Sequence, residues 1–303
     1  MRISSAHLTT TLQGTLSGNN ERLAKLTEQI AAGRRVTRPS DDPIASVRLR
    51  MIERDGVLLE QYRQNISTLT IRLERNESQL GGMVDTMMSA GDLLVWALDG
   101  ASSTADLNAM ATTLRSLRDT LLASANALDT EGNHMFSGTA TATAPIAVDD
   151  TQPPGMRYSF AGNDKRQLVV VGNGITQAAN VSVGEVAEVL NRLDAALAVL
   201  EDPAADSSNP AMRTVLQAAV DALDVGRDAL TAKMAQMGGA RNTLRLLDDT
   251  HAAMQVGNAT AAEQVGGLDM AEAYERLARY TVAIQSTYQV YSRIMQLNPF
   301  EML

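Results

Sequence analysis

The sequence predicts a mainly α fold: a long antiparallel helical bundle or coiled-coil rod with paired N- and C-terminal helices and a small central β-rich domain. Three observations predict it. Hydrophobic residues make up 45% of the 303 residues but aromatics only 3%, so Leu, Ala, Met and Val must fill the core. That palette suits helix faces better than sheets. Apolar residues recur at alternating steps of four and three over long stretches toward both ends. Between them, residues 131–183 are rich in Gly, Pro and Asp and carry short alternating runs.

Residues 1–43 read as a helix followed by a connector. Leu12, Leu16, Leu23, Leu26 and Ile30 follow one helical stripe, with Asn19 in its gap, and Gly33 ends the run as a cap glycine. The segment Gly33 to Pro43 is no continuous helix, because Pro39 and Pro43 forbid it. Ser40, Asp41 or Asp42 is placed to cap a new helix at Pro43. The two carboxylates are expected to form a structural salt link to Arg34, Arg35 or Arg38.

Residues 44–130 read as the first half of the rod. Tyr62, Ile66, Leu69, Leu73, Asn76, Leu80, Met83, Met87, Ala90 and Leu94 form a coiled-coil-like seam, in which Asn76 is positioned to fix register. A further helix is expected from about Ala105 to Leu128, with Leu107, Leu114, Leu117, Leu121 and Leu128 on or near one face. Residues 131–183 read as a small β-rich insertion: Met156 to Phe160 alternates, Gln167 to Val171 is strand-like, and Asn173-Gly174 marks a turn that could join two strands.

Residues 184–267 read as the second half of the rod. A helix is expected from about Val183 to Leu200, a loop at Pro203 to Pro210, a long helix from Met212 to about His251, and a weaker Gly/Ala-rich one to Gly267. Residues 44–98 are expected to lie antiparallel along 212–251. Residues 268–303 read as a C-terminal assembly helix with Met270, Tyr274, Leu277, Thr281, Ile284, Tyr288, Tyr291 and Met295 in alternating steps, ended by Pro299. This segment holds five of the ten aromatics, and tyrosine is favoured where subunits meet.

The residues offer no chemistry. The absence of cysteine excludes a disulfide scaffold, a thiolate zinc site and a cysteine nucleophile. His7, His134 and His251 are scattered and sit in no metal motif. Gly172-Asn173-Gly174 follows an apolar run, but a dinucleotide loop needs a third glycine at Gln177, so a hairpin turn is the better reading. Asp149-Asp150 and Asp41-Asp42 lack the alternating oxygens of a calcium loop. Residues 1–75 carry a net charge of +4 within a total of −9, without a basic recognition motif, so no nucleic acid is expected as partner. The N-terminus has no apolar signal core, and no run of about 18 apolar residues predicts a membrane span. No cofactor, metal site or catalytic residue is expected.

A family likeness rests on particular residues. Met1-Arg2-Ile3-Ser4, then Leu23 through Val36, then Pro39-Ser40-Asp41-Asp42-Pro43 resemble the N-terminus of the flagellin superfamily. The Met-Arg-Ile-Ser start and the Pro-Ser-Asp-Asp-Pro form are similar to its hook–filament junction members rather than to filament flagellins. His134-Met135-Phe136-Ser137-Gly138 resembles the Phe-Ser-Gly element before the β domain of those members, and Tyr158 to Asn163 the strand and Gly-Asn turn that follow. Gly267 to Ala273 resembles the start of the superfamily's C-terminal helix. Pro299 departs from its usual apolar tail.

The resemblance implies a non-catalytic structural subunit joining the hook to the filament, located outside the cell in the flagellum and exported without a cleaved signal. Implied partners are other copies of the chain, the hook-proximal junction protein, flagellin, and a cytosolic export chaperone on the C-terminal helix. Leu12, Leu16, Leu23, Leu26, Ile30, Tyr274, Leu277, Ile284, Tyr288 and Tyr291 are the expected assembly interface. A lone amphipathic helix is marginal in water, so both ends are expected to order fully on assembly. The rival readings are a filament flagellin, a cytosolic coiled-coil scaffold, and an enzyme with its site in the β insertion.

Overall fold

The structure is a computed structural model and describes residues 2–99 and 102–296. Among them are six helices and four short strands: α1 (Arg2–Ala32), α2 (Pro43–Ala97), α3 (Thr104–Ala125), β1 (Ile146–Val148), β2 (Tyr158–Phe160), β3 (Leu168–Gly172), β4 (Ile175–Ala178), α4 (Val186–Leu200), α5 (Pro210–Gly266) and α6 (Met270–Gln296). The fold is mainly α with a small β-rich region, as the composition and periodicity predict. The chain divides into two compact units, Glu60–His251 and the pair Met1–Leu59 with Ala252–Leu303.

In the Glu60–His251 unit, α2 and α5 run antiparallel. Arg63 Nε lies 2.8 Å from Asp248 Oδ1, Arg241 reaches Glu77 at 2.7 Å, and Arg213 donates to the Leu98 carbonyl at 2.7 Å. The α2 seam is buried from Ile66 to Leu94, and Asn76 is only 1% exposed. Opposite, Leu216, Leu223, Leu230, Met237 and Leu244 repeat every seven residues on α5 and are all buried. Leu107, Leu114 and Leu121 of α3 and Leu190, Leu193 and Leu197 of α4 complete one shared core. The side-chain nitrogen of Asn76 has no hydrogen-bond partner.

Two expectations are corrected and one strand is added. The helix expected to reach Leu128 stops at Ala125, because Asn126 turns its amide to the backbone of Ile146, accepting from its N–H at 2.9 Å and donating to its carbonyl at 3.0 Å. Leu128 is exposed beyond the helix. The separation at His251 is absent: α5 is continuous to Gly266, since the alanines of 252–262 favour helix enough to carry Gly257. The strand Ile146–Val148 had no sequence signal, being three residues long. Pro299 lies outside the described residues.

The β region is two separate antiparallel pairs. β1 pairs with β2 and β3 with β4, the latter through the expected turn at Asn173-Gly174, where Gly174 has φ +71°. Helix side chains hold these strands. Asn191 of α4 brackets Tyr158, accepting from its N–H at 2.9 Å and donating to its carbonyl at 2.8 Å. On β3, Asn65 donates to the Val170 carbonyl at 2.8 Å and His251 Nε2 to the Val171 carbonyl at 2.9 Å.

In the other unit α1 and α6 pack together. The Arg35 N–H donates to the Gly266 carbonyl at 2.8 Å and Leu268 N–H to the Gly33 carbonyl at 3.4 Å. The end of α1 therefore meets the start of α6, and the two helices run antiparallel.

Candidate functional site

The connector between α1 and α2 is built from its sequence in order. Gly33 has φ +64°, donates to the Ile30 carbonyl at 3.2 Å, and is followed by Arg34 donating to Gln29 at 3.2 Å. These two bonds are a Schellman cap, which only glycine closes without strain. Pro39 then sits second in a turn closed by Asp41 N–H donating to the Arg38 carbonyl at 2.9 Å. Asp42 caps α2, its Oδ1 accepting from Ala45 N–H at 3.0 Å, and Pro43 takes the first helical position, where its missing donor costs nothing.

The two carboxylates take different partners. Asp42 Oδ2 accepts from both terminal nitrogens of Arg35 at 3.2 Å. The same arginine donates to the Val265 carbonyl at 3.0 Å, so one guanidinium ties the connector to the end of α5. Asp41 pairs not with an arginine of the connector but with Lys25 of α1 at 2.7 Å, and Arg38 pairs with Glu28 at 2.9 Å. The expected salt link is thus present for Arg35, while Arg38 and Asp41 both reach back to α1. Arg34 contributes through its backbone, in a bridge with Gly267. Lys25 beside Asp41, helped by the Arg38 and Thr37 N–H groups, holds that carboxyl well below the usual range. The Ala45 N–H and then Arg35 hold Asp42 down as well.

The terminal helices split the expected interface. Leu26 is buried, and Leu12, Leu16, Leu23, Ile30, Leu277, Ile284 and Tyr291 are half-buried. Tyr274 and Tyr288 stand outside that face and are exposed, with Val282 and Val290 exposed as well. Asp269 caps α6, accepting from Ala271 and Glu272 N–H at 2.9 and 3.1 Å.

The Phe-Ser-Gly element is a packing lock. Phe136 is fully buried, and Ser137 accepts from Asn163 N–H at 3.1 Å. Asn163 Oδ1 then accepts from Thr139 N–H at 3.1 Å and Lys165 N–H at 3.0 Å. The motif and the Gly-Asn turn, far apart in sequence, form one joint.

Sequence reasoning missed Lys25, Asn126, Asn191 and a buried ion cluster. Asp194, 2% exposed, lies 2.9 Å from Arg118 and 3.5 Å from Arg157 and accepts from Gly155 N–H at 3.0 Å. A carboxylate on the apolar face of α4 was the available signal. Among the described residues no cluster of three or more His, Cys, Asp or Glu is placed to hold a metal, and no helix is long and apolar enough to cross a membrane.

Comparison with known proteins agrees with this architecture. Residues 3–141 match the family described as the bacterial flagellin N-terminal helical region. The flagellar hook-associated protein 3 of Escherichia coli K12 is 27% identical over 294 residues, covering 92% of each chain. That of Salmonella typhimurium is 25% identical over 318 residues, covering 100% of this chain and 99% of its own. A solved structure described as a flagellar hook-associated protein from Vibrio parahaemolyticus superposes with TM-score 0.68 at 30% identity, covering 75% of this chain and all of the other. The chain belongs to the flagellin superfamily, among its hook-associated protein 3 members.

Proposed function

We propose that this chain is a non-catalytic structural subunit of the junction between hook and filament in the bacterial flagellum, assembled outside the cell after export without a cleaved signal. The observation that carries this reading is likeness along the whole chain, rather than one motif, to proteins named flagellar hook-associated protein 3. The geometry supports it. The strongly shifted carboxylate, Asp41, is spent on Lys25 and backbone donors, as a structural joint requires. The terminal helices keep Tyr274, Val282, Tyr288 and Val290 in the open, available to neighbouring subunits. Its partners on this reading are other copies of itself, the hook-proximal junction protein and flagellin, with a cytosolic export chaperone holding α6 beforehand.

Gold-labelled antibody on purified hook–filament particles tests the reading. Label is expected in one narrow band where hook meets filament. Cells lacking the chain should release flagellin into the medium and regain filaments when it is restored. Label along the whole filament would instead make the chain a filament flagellin, and label confined to the cytosol a scaffold.

A further inference from the structure

The exposed face of α2 changes character along its length. From Asn76 to Leu114 the chain has no lysine or arginine but five carboxylates. Within the Glu60–His251 unit, Asp85, Met88, Asp92, Val95 and Trp96 recur at helical spacing on one outer face of α2, with Asp99 just beyond its end. Met88 is 50% exposed, Val95 56% and Trp96, the chain's single tryptophan, 62%. Met88, Asp92 and Val95 also edge a shallow groove whose far wall includes Val220 and Asp224 of α5, the latter tied to Arg227 at 3.1 Å. An open tryptophan among large apolar side chains is the composition of an interface centre.

The start of α2, in the other unit, carries the converse. Ile44, Val47, Met51 and Leu58 are exposed at steps of three, four and seven, so they form one row. Arg48 and Arg54 lie on the same face as the row; Arg54 is paired with the exposed Asp55 beside it at 3.4 Å, while Arg48 has no ion-pair partner among the described residues, so the face keeps a net positive charge.

We propose that these two faces are the two sides of one interface between copies of this chain, the acidic Trp96 face of one copy receiving the Ile44–Leu58 row of the next. The inference rests on the self-assembling reading above. Two features choose a second copy as the occupant. Both faces repeat every seven residues, which lets helices interlock side chain into gap. Their charges are opposite, with the unpaired Arg48 available to Asp85, Asp92 and Asp99, and Arg54 joining it by exchanging its exposed pair with Asp55. Because the faces differ, the contact is head-to-tail and propagates into a ring or helical array instead of closing as a two-fold dimer.

The absence of native cysteine makes the test clean. Met51→Cys and Val95→Cys are made in separate full-length chains and expressed together in cells lacking the native gene. Hook–filament particles are isolated and oxidised. A disulfide-linked dimer is expected only when both variants are present. Adding Arg48→Glu and Arg54→Glu to the Met51→Cys chain should lower the dimer roughly tenfold, and Asp92→Arg with Asp99→Arg on the other chain should restore it. Val47→Cys with Met88→Cys is a second pair should either first variant fail to reach the particles. A dimer from one variant alone would overturn the proposal. So would the absence of any cross-link while both variants sit at the junction, which leaves the functional reading standing. Absence of the unmodified chain from the particles is the separate result that sinks that reading.

Discussion

Gly138 meets Asn163 so closely that a Cβ on the glycine would stand 1.9 Å from the asparagine's carbonyl oxygen. Gly138 also has φ +73°, where other residues are strained. Since the near atom is backbone, the clash cannot be relieved by a rotamer change. Gly138→Ala should therefore lose roughly 3 kcal/mol or more, combining backbone strain with a displaced turn. Urea unfolding followed by circular dichroism measures it. A loss below about 0.5 kcal/mol, the scale of ordinary surface changes, would show that this joint moves freely.

The Lys25–Asp41 pair predicts an acid response. The folded carboxyl is held well below its usual value, chiefly by Lys25 and then by the Arg38 N–H. A depressed carboxylate adds stability that is present above the unfolded value of about 3.9 and is lost as pH falls below it. Wild type should thus melt above Asp41→Asn at pH 7, and the gap should narrow as the pH is lowered toward 3. Melting curves of both chains across that range check it. A gap that stays constant would mean that Asp41 acts through shape and not through charge.

What the sequence made legible follows from how local each cause is. The Schellman glycine at Gly33, the Asp42 cap with Pro43, and the α2 seam are set by residues within a few positions of one another, so periodicity and cap chemistry disclose them. The Asp194 cluster with Arg118 and Arg157, and the bracket of Asn191 on Tyr158, depend on partners more than 30 residues away, which no local pattern announces. Tyr274 and Tyr288 show the intermediate case. Steps of four and three place them in one row with Leu277 and Ile284, yet a single antiparallel partner, α1, covers too narrow a stripe to take them in. The Phe-Ser-Gly element was visible only as a likeness, because its reason, the approach of Asn163, lies 25 residues further on.

Asn76 yields a test of specificity against stability. It is buried in the α2 seam between Leu73 and Leu80, and its amide nitrogen finds no partner there. A buried unsatisfied donor costs about 1–3 kcal/mol. Asn76→Leu should retain or raise the melting temperature while loosening the register of α2 on α5. Spin-label distances between Glu77→Cys and Arg241→Cys, measured with and without the substitution, report register directly. A chain that unfolds on Asn76→Leu would show that the amide holds something other than register.

The terminal helices carry the last prediction. Residues 1–40 and 268–303 include α1 and α6, which pack against each other with much of their apolar surface only half covered. Two such helices gain little from one another. Each large side chain fully buried by a neighbour would contribute roughly 1.5–3 kcal/mol, and Leu12, Leu16, Leu23, Tyr274, Leu277, Ile284 and Tyr291 all have area left to bury. The free monomer should therefore open these ends transiently, and limited proteolysis should trim them first, leaving a stable fragment of about 44–266. Both trimming reactions should stop once the chain is assembled in flagella. Deleting 268–303 should leave that fragment folded by circular dichroism but unable to retain a filament, so that flagellin appears in the medium. Ends that resist protease in the monomer as well as α2 and α5 do would refute coupling of their order to assembly. The family assignment would be untouched, because it rests on likeness along the whole chain and not on how the ends become ordered.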